Sequence, residues 1–247
     1  MSDDHRKLPP DRLWQPTTAK WFAVIFGASL AYAVIRYHFA GDVEWRHFPL
    51  FILNKATSLA AVFFVASSYL VGKIIHWHDH DPALRLVVIK FCGLMGFFLA
   101  AVHAFFSLCL LSPAYYGKYF DDVDRLNLQG EIAVAVGVVA LFFLLAPAVT
   151  TLPGMPKAIG GWRWKRNQRA GYIALALVVV HLVVLGLKGW LAPQGWHGGI
   201  PPVSLVAVVA ALVPLLVRRK LEYDKKARAR GKAGTTNEGT DSQGREP

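Results

Sequence analysis

The chain has 247 residues, of which 54% are hydrophobic and 17% charged, and its mean hydropathy is positive. This composition is too apolar for an ordinary soluble domain of this length and favours an integral membrane protein. The formal net charge of +11 could suggest a nucleic-acid-binding protein, but the basic residues stand between apolar runs and in a polar tail, not on one amphipathic face. The charge therefore indicates membrane topology, and no nucleic-acid partner is expected.

Five apolar runs are long enough to cross, as helices, the roughly 30 Å of hydrocarbon in a bilayer. They cover residues 21–39, 51–75, 86–111, 128–149 and 170–191. A shorter sixth run, residues 202–217, is followed by a basic cluster that would stop it at the interface. The first run is interpreted as a helix and not as a cleaved signal peptide, because its apolar stretch is long. We therefore predict an all-α integral membrane protein with a six-helix transmembrane bundle over residues 21–217.

The basic residues are unevenly divided between the two ends of these helices. If the N-terminus is inside, the inner segments carry 21 of the 27 Lys and Arg residues, so the positive-inside rule predicts that both termini are cytoplasmic. Residues 1–20 would then be a cytoplasmic N-terminal segment. Residues 218–247 form a basic tail that becomes rich in Gly, Thr, Asn and Ser, and we expect it to be disordered and cytoplasmic.

Two of the nine histidines, His103 and His181, lie deep inside predicted spans. An imidazole is costly there unless it is paired, solvated or bound to something. The third and fifth helices run in the same direction, and each histidine comes nine residues before the outer end of its helix, at Ser112 and Trp190. Two facing histidines at one depth can supply both axial ligands of a haem iron. Small residues on the same helix faces, such as Gly96 and Gly171, would leave room for a flat macrocycle.

Other interpretations of the two histidines stay open at this point. Each could be hydrogen-bonded across a helix interface in a structural subunit without a cofactor. They could also relay protons or bind a cation in a small membrane transporter, although no pair of broken helices is evident. The matched depth favours haem.

Two further groups of residues are candidates for binding. Arg36, Arg46 and Lys55 near the outer ends of the first two helices are candidate contacts for haem propionates; the alternative is that they merely extend to the interface. The second loop contains His76, His78 and His80, alternating with other residues that include two aspartates, a pattern that can bind zinc, nickel or copper. A solvated loop is the competing interpretation.

Most of residues 50–190 resembles the ferric reductase-like transmembrane domain family, and within it the haem-binding membrane subunits of periplasmic methionine sulfoxide reductase systems. In the third helix the resemblance rests on a basic residue, a glycine and a histidine, which are Lys90, Gly93 and His103. In the fifth helix it rests on Trp164, Tyr172 and His181. It implies that His103 and His181 are the two haem ligands. Gln168 stands where the family often has another histidine, which implies one haem and no second, inner one. The resemblance also implies a bacterial inner (plasma) membrane.

The extramembrane segments contain no Rossmann glycine fingerprint, phosphate loop or nucleophile elbow, and they are too short for a nicotinamide or flavin domain. No motif supports a bound flavin. The chain is therefore predicted to be an electron-transfer subunit of an oxidoreductase and not a complete NAD(P)H-dependent ferric reductase. Its single haem b would pass electrons from a cytoplasmic flavoprotein or quinol to an outer-face acceptor, with membrane lipid around it.

Overall fold

A computed structural model describes residues 13–72, 82–152 and 154–241 of the protein. Six long helices dominate it: α1 Pro16–Val34, α2 Leu53–Val71, α3 Pro82–Cys109, α4 Leu128–Thr151, α5 Gly161–Trp190 and α6 Val203–Asp241. Each lies in a segment that is long and apolar enough to cross a membrane, and the described ranges hold no β-strand beyond one isolated bridge between Phe120 and Leu126. The predicted all-α, six-helix membrane fold is confirmed. The loop with His76, His78 and His80 lies outside the described residues.

The α1–α2 and α3–α4 connections contain short helical turns. α1 continues as a π-helix over Ile35–Phe39, and a 3-10 turn at Trp45–His47 leads into a second π-helix, Phe48–Ile52, that joins α2. The α3–α4 connection contains a short helix, Pro113–Tyr116, and a 3-10 turn, Gly117–Tyr119. These turns bring polar and aromatic side chains back over the end of the bundle where α2 begins.

Two helices are longer than hydropathy alone predicts. α5 begins at Gly161, well before the predicted start at residue 170, because the basic and aromatic stretch before its apolar core is also helical. α6 continues past the predicted end at residue 217 to Asp241, so this part of the tail is helical and not disordered. Lys, Arg and Ala are good helix formers, and Arg218 pairs with Glu222 one turn later at 2.8 Å.

Helices α2 to α6 pack in a closed ring, in which each helix contacts the next and α6 contacts α2. α1 packs on the outside of this ring, mainly against α2. α2 is the most buried span, with 56% of its apolar window inside the protein. The ring therefore places α2 and α4 on either side of α3, and α4 between α3 and α5.

Two small residues that were expected to make room for a macrocycle serve helix packing instead. A Cβ on Gly96 would come within 2.9 Å of the backbone nitrogen of Val65, so this glycine lets α3 approach α2. A Cβ on Gly171 would clash with the hydroxyl of Tyr69, which crosses from α2 to α5. The expectation was wrong for these two positions because helix-face spacing does not say which neighbour fills the space.

Candidate functional site

His103 lies on α3 and is held by a polar side chain of α2. Its Nδ1 lies 2.6 Å from Oδ1 of Asn54, which has no exposed surface. The Asn54 amide group donates to Ser107 Oγ and to the Tyr116 hydroxyl, at 3.1 Å each. Because the amide oxygen can only accept, Nδ1 of His103 carries the proton. The lone pair of this imidazole is therefore on Nε2.

His181 lies on α5 and is held by the backbone of α4. Its Nδ1 lies 2.8 Å from the carbonyl oxygen of Ala133, an acceptor that again fixes the proton on Nδ1. One turn further along α4, a Cβ on Gly137 would come within 3.0 Å of Cε1 and 3.1 Å of Nδ1 of His181. A side chain at position 137 would therefore require the ring to shift by a few tenths of an ångström.

The structure brings the two imidazoles together, near enough for them to interact electrostatically. Among the described residues, no protein group forms a hydrogen bond to Nε2 of either ring. Metal-bound histidines usually donate their other N–H to a carbonyl or a similar acceptor, as both do here. No third His, Cys, Asp or Glu joins the pair within the described ranges. Two neutral imidazoles fit a haem iron, whose four other ligands come from the macrocycle.

Two lysines lie near this pair, at the end of the bundle where α2 begins. Lys55 follows Asn54 on α2, and its Nζ is 3.4 Å from the Tyr116 hydroxyl and close enough to affect His103 electrostatically. Lys118, in the 3-10 turn after α3, donates to the carbonyl of Leu185 at 3.3 Å. Burial, and then the positive charge of Lys55, lower the pKa of Lys118. Neither ammonium has a carboxylate partner among the described side chains, so the two form a suitable cradle for the carboxylates of a ligand.

The other two predicted propionate contacts lie elsewhere. The buried guanidinium of Arg36 donates to the carbonyl of Ile200, just before α6. Arg46 is exposed and pairs with Glu44 at 3.0 Å. The structure therefore places only Lys55, of the three predicted cations, beside the histidine pair.

Sequence reasoning missed three residues of the site. Asn54 and Gly137 matter because of helix pairing, and Lys118 matters because a turn folds back over the bundle. Signals for two of them were present: a polar amide inside an apolar span, and the small-residue spacing of Ala133 and Gly137 on the fourth helix.

A cavity of about 100 Å³ is lined by residues of α2 to α5, including Lys90, Trp164 and Gln168. The Gln168 amide donates to Thr150 Oγ1 at 3.1 Å and to the carbonyl of Pro147 at 3.3 Å. No histidine is among the described residues that line this cavity.

The chain is similar to a metalloreductase and to a heme-binding reductase subunit. It is 25% identical to the mouse Metalloreductase STEAP2 over 82% of its length, and it spans about half the length of that relative. It is 32% identical to the Protein-methionine-sulfoxide reductase heme-binding subunit MsrQ of Rhodospirillum rubrum, over 49% of this chain and 58% of that one. No protein-family model matches.

The subunit of the same name from Herminiimonas arsenicoxydans is also similar to this chain. The two chains are 30% identical over 190 residues, which are 76% of this chain and 79% of the relative. The protein therefore belongs to the family of the protein-methionine-sulfoxide reductase heme-binding subunit MsrQ.

Proposed function

We propose that this membrane protein binds one b-type haem through His103 and His181 and passes electrons across the membrane as a subunit of an oxidoreductase. The observation that carries the proposal is that the two imidazole rings are held in the same way. Each donates its Nδ1 proton to a protein acceptor. The Nε2 lone pair of each has no protein partner among the described residues. Bound there, haem would supply a reversible one-electron couple.

The relatives support this proposal by their names. MsrQ is named a heme-binding subunit and STEAP2 a metalloreductase, so both favour electron transfer over the transporter alternative. The name of MsrQ also points to a methionine sulfoxide reductase as the acceptor, and the proposal places this acceptor at the outer face. A cytoplasmic flavoprotein or a quinol would be the donor.

The residues around the pair have separable tasks. Asn54 and Ala133 would hold the protons and orientations of the two ligands, and Gly137 would let His181 lie against α4. Lys55 and Lys118 would bind the propionates at the outer end. Arg46 pairs with Glu44. Arg36 donates to the carbonyl of Ile200 but keeps a buried Nε without a hydrogen-bond partner among the described residues, so it stays a secondary candidate for a propionate. No histidine is among the described residues that line the cavity beside Gln168, which supports one haem per chain.

The test is a dithionite-reduced minus oxidised visible spectrum of the purified protein, with pyridine haemochrome quantification per chain. We expect a low-spin b-type spectrum and about one haem per chain. His103→Ala and His181→Ala should each lose the low-spin spectrum, whereas His197→Ala, a change at an exposed outer-loop histidine, should keep it. Absence of haem from the parent after reconstitution would refute the proposal, and a full parental spectrum in either ligand variant would refute the ligand assignment.

A further inference from the structure

We infer that Asn54 is a positioning residue that fixes the proton and the ring orientation of His103 and thereby sets the redox potential of the haem. The inference rests on the proposed function, since it concerns the same ligand pair. It assigns a role to a residue of α2, a helix that supplies neither ligand.

The Asn54 amide has partners on both sides. Its Nδ2 donates to Ser107 Oγ and to the Tyr116 hydroxyl oxygen, at 3.1 Å each, and the same Tyr116 oxygen also accepts from Lys55 Nζ at 3.4 Å. Its Oδ1 lies 2.6 Å from Nδ1 of His103.

This orientation decides which nitrogen of His103 is free. A rotated amide would require the proton on Nε2, the nitrogen that must carry a lone pair to bind a metal. Because Asn54 is fully buried, water does not replace it as the acceptor. The side chain at position 54 thus selects the tautomer that can act as a ligand.

The two ligands differ in how they are held. His181 donates to a main-chain carbonyl, which is present whatever residue stands at position 133. His103 donates to a side chain, so its bond can be strengthened or removed by substitution. An acceptor on the distal N–H makes an imidazole more basic, and a more basic axial ligand stabilises ferric over ferrous iron. Asn54 should therefore lower the potential.

The experiment measures the midpoint potential and the low-temperature EPR spectrum of the oxidised holoprotein. Asn54→Leu keeps similar volume but removes the acceptor, so we expect a positive shift in potential and a changed largest g value, with haem still bound. Asn54→Asp offers a stronger acceptor and should shift the potential in the negative direction. Thr57→Val is the control: Thr57 is buried on the same helix, but its hydroxyl donates to the Asn54 backbone carbonyl at 3.1 Å and not to His103.

The outcomes separate this inference from the proposed function. A parent without haem refutes the proposed function before any variant is needed. A parent with haem, together with parental potential and g values in Asn54→Leu, overturns the role of Asn54 alone. If Asn54→Leu does not fold, Asn54→Asp provides the test. A midpoint potential of Asn54→Asp equal to that of Thr57→Val would also overturn the inference.

Discussion

Lys55 and Lys118 lie within electrostatic range of each other, and neither has a carboxylate partner among the described side chains. Burial and the charge of Lys55 disfavour the protonated form of Lys118 and lower its pKa. A bound carboxylate would have the opposite effect, because it favours the ammonium. Binding of an anion at this place is therefore coupled to proton uptake by Lys118.

This coupling predicts a pH dependence of haem binding to the apoprotein. Affinity should fall as pH rises through the pKa of Lys118 in the apoprotein, which lies below the value of about 10.4 for an unperturbed lysine. Lys118→Arg should reduce this fall, because a guanidinium stays charged throughout the range. The measurement is haem titration of the apoprotein at a series of pH values. Equal pH dependence in parent and Lys118→Arg would contradict the prediction.

At the scale of elements, α4 supports the two helices that carry the proposed ligands. α3 and α5 both pack on it, and it supplies the carbonyl of Ala133 and the gap at Gly137 to His181. Its own start is fixed by Asn127, whose side chain accepts from the backbone N–H of Gly130 at 3.0 Å. The position of the His181 ring thus depends on a helix that contributes no metal ligand.

Gly137→Ala tests this dependence. The added Cβ would lie 3.0 Å from Cε1 of His181 and push the ring away from Ala133, so we expect haem affinity to fall by about 10- to 100-fold, as for other changes around metal ligands. The control is Gly27→Ala in α1, where a Cβ would meet nothing within 4 Å. Haem titration by absorbance measures both variants. Equal haem affinities of Gly137→Ala and Gly27→Ala would show that the His181 ring can shift without weakening haem binding.

The sequence predicted the helices and the two histidines but not the partners that orient them. Long apolar runs define spans whatever their neighbours are, and an imidazole inside such a run is conspicuous by itself. The roles of Asn54, Gly137 and Lys118 depend on which helices lie side by side, and that arrangement is a property of tertiary packing. The same limit explains the error at Gly96, whose neighbour Val65 belongs to another helix.

On the scale of the whole molecule, five helices close a ring around the histidine pair while α1 stays outside it. The sequence puts 21 of 27 basic residues at one end of this assembly. The positive-inside rule makes that end cytoplasmic, so the end with Lys55 and Lys118 would face outward. This orientation is a prediction that the proposed direction of electron transfer requires.

Cysteine labelling in intact cells can test the orientation. In a background with Cys92 and Cys109 replaced by alanine, Asp122→Cys in the α3–α4 connection should react with a membrane-impermeant maleimide added from outside. Lys225→Cys in the cytoplasmic part of α6 should react only after the cells are lysed. The reverse pattern would invert the topology and, with it, the proposed sides of donor and acceptor.

The unlike acceptors of the two histidines have an evolutionary consequence. Codons for asparagine and aspartate differ by one base, so the bond to His103 can be changed in a single mutational step, whereas the main-chain bond to His181 withstands any substitution at Ala133 that still fits. One of the two proposed ligands, His181, would thereby be protected from the effects of substitution, while the bond to the other, His103, would remain adjustable. A lineage that acquires a new electron donor could adjust the redox potential of the haem to that donor by a substitution at position 54. Neither of the helices that carry the proposed ligands would have to change.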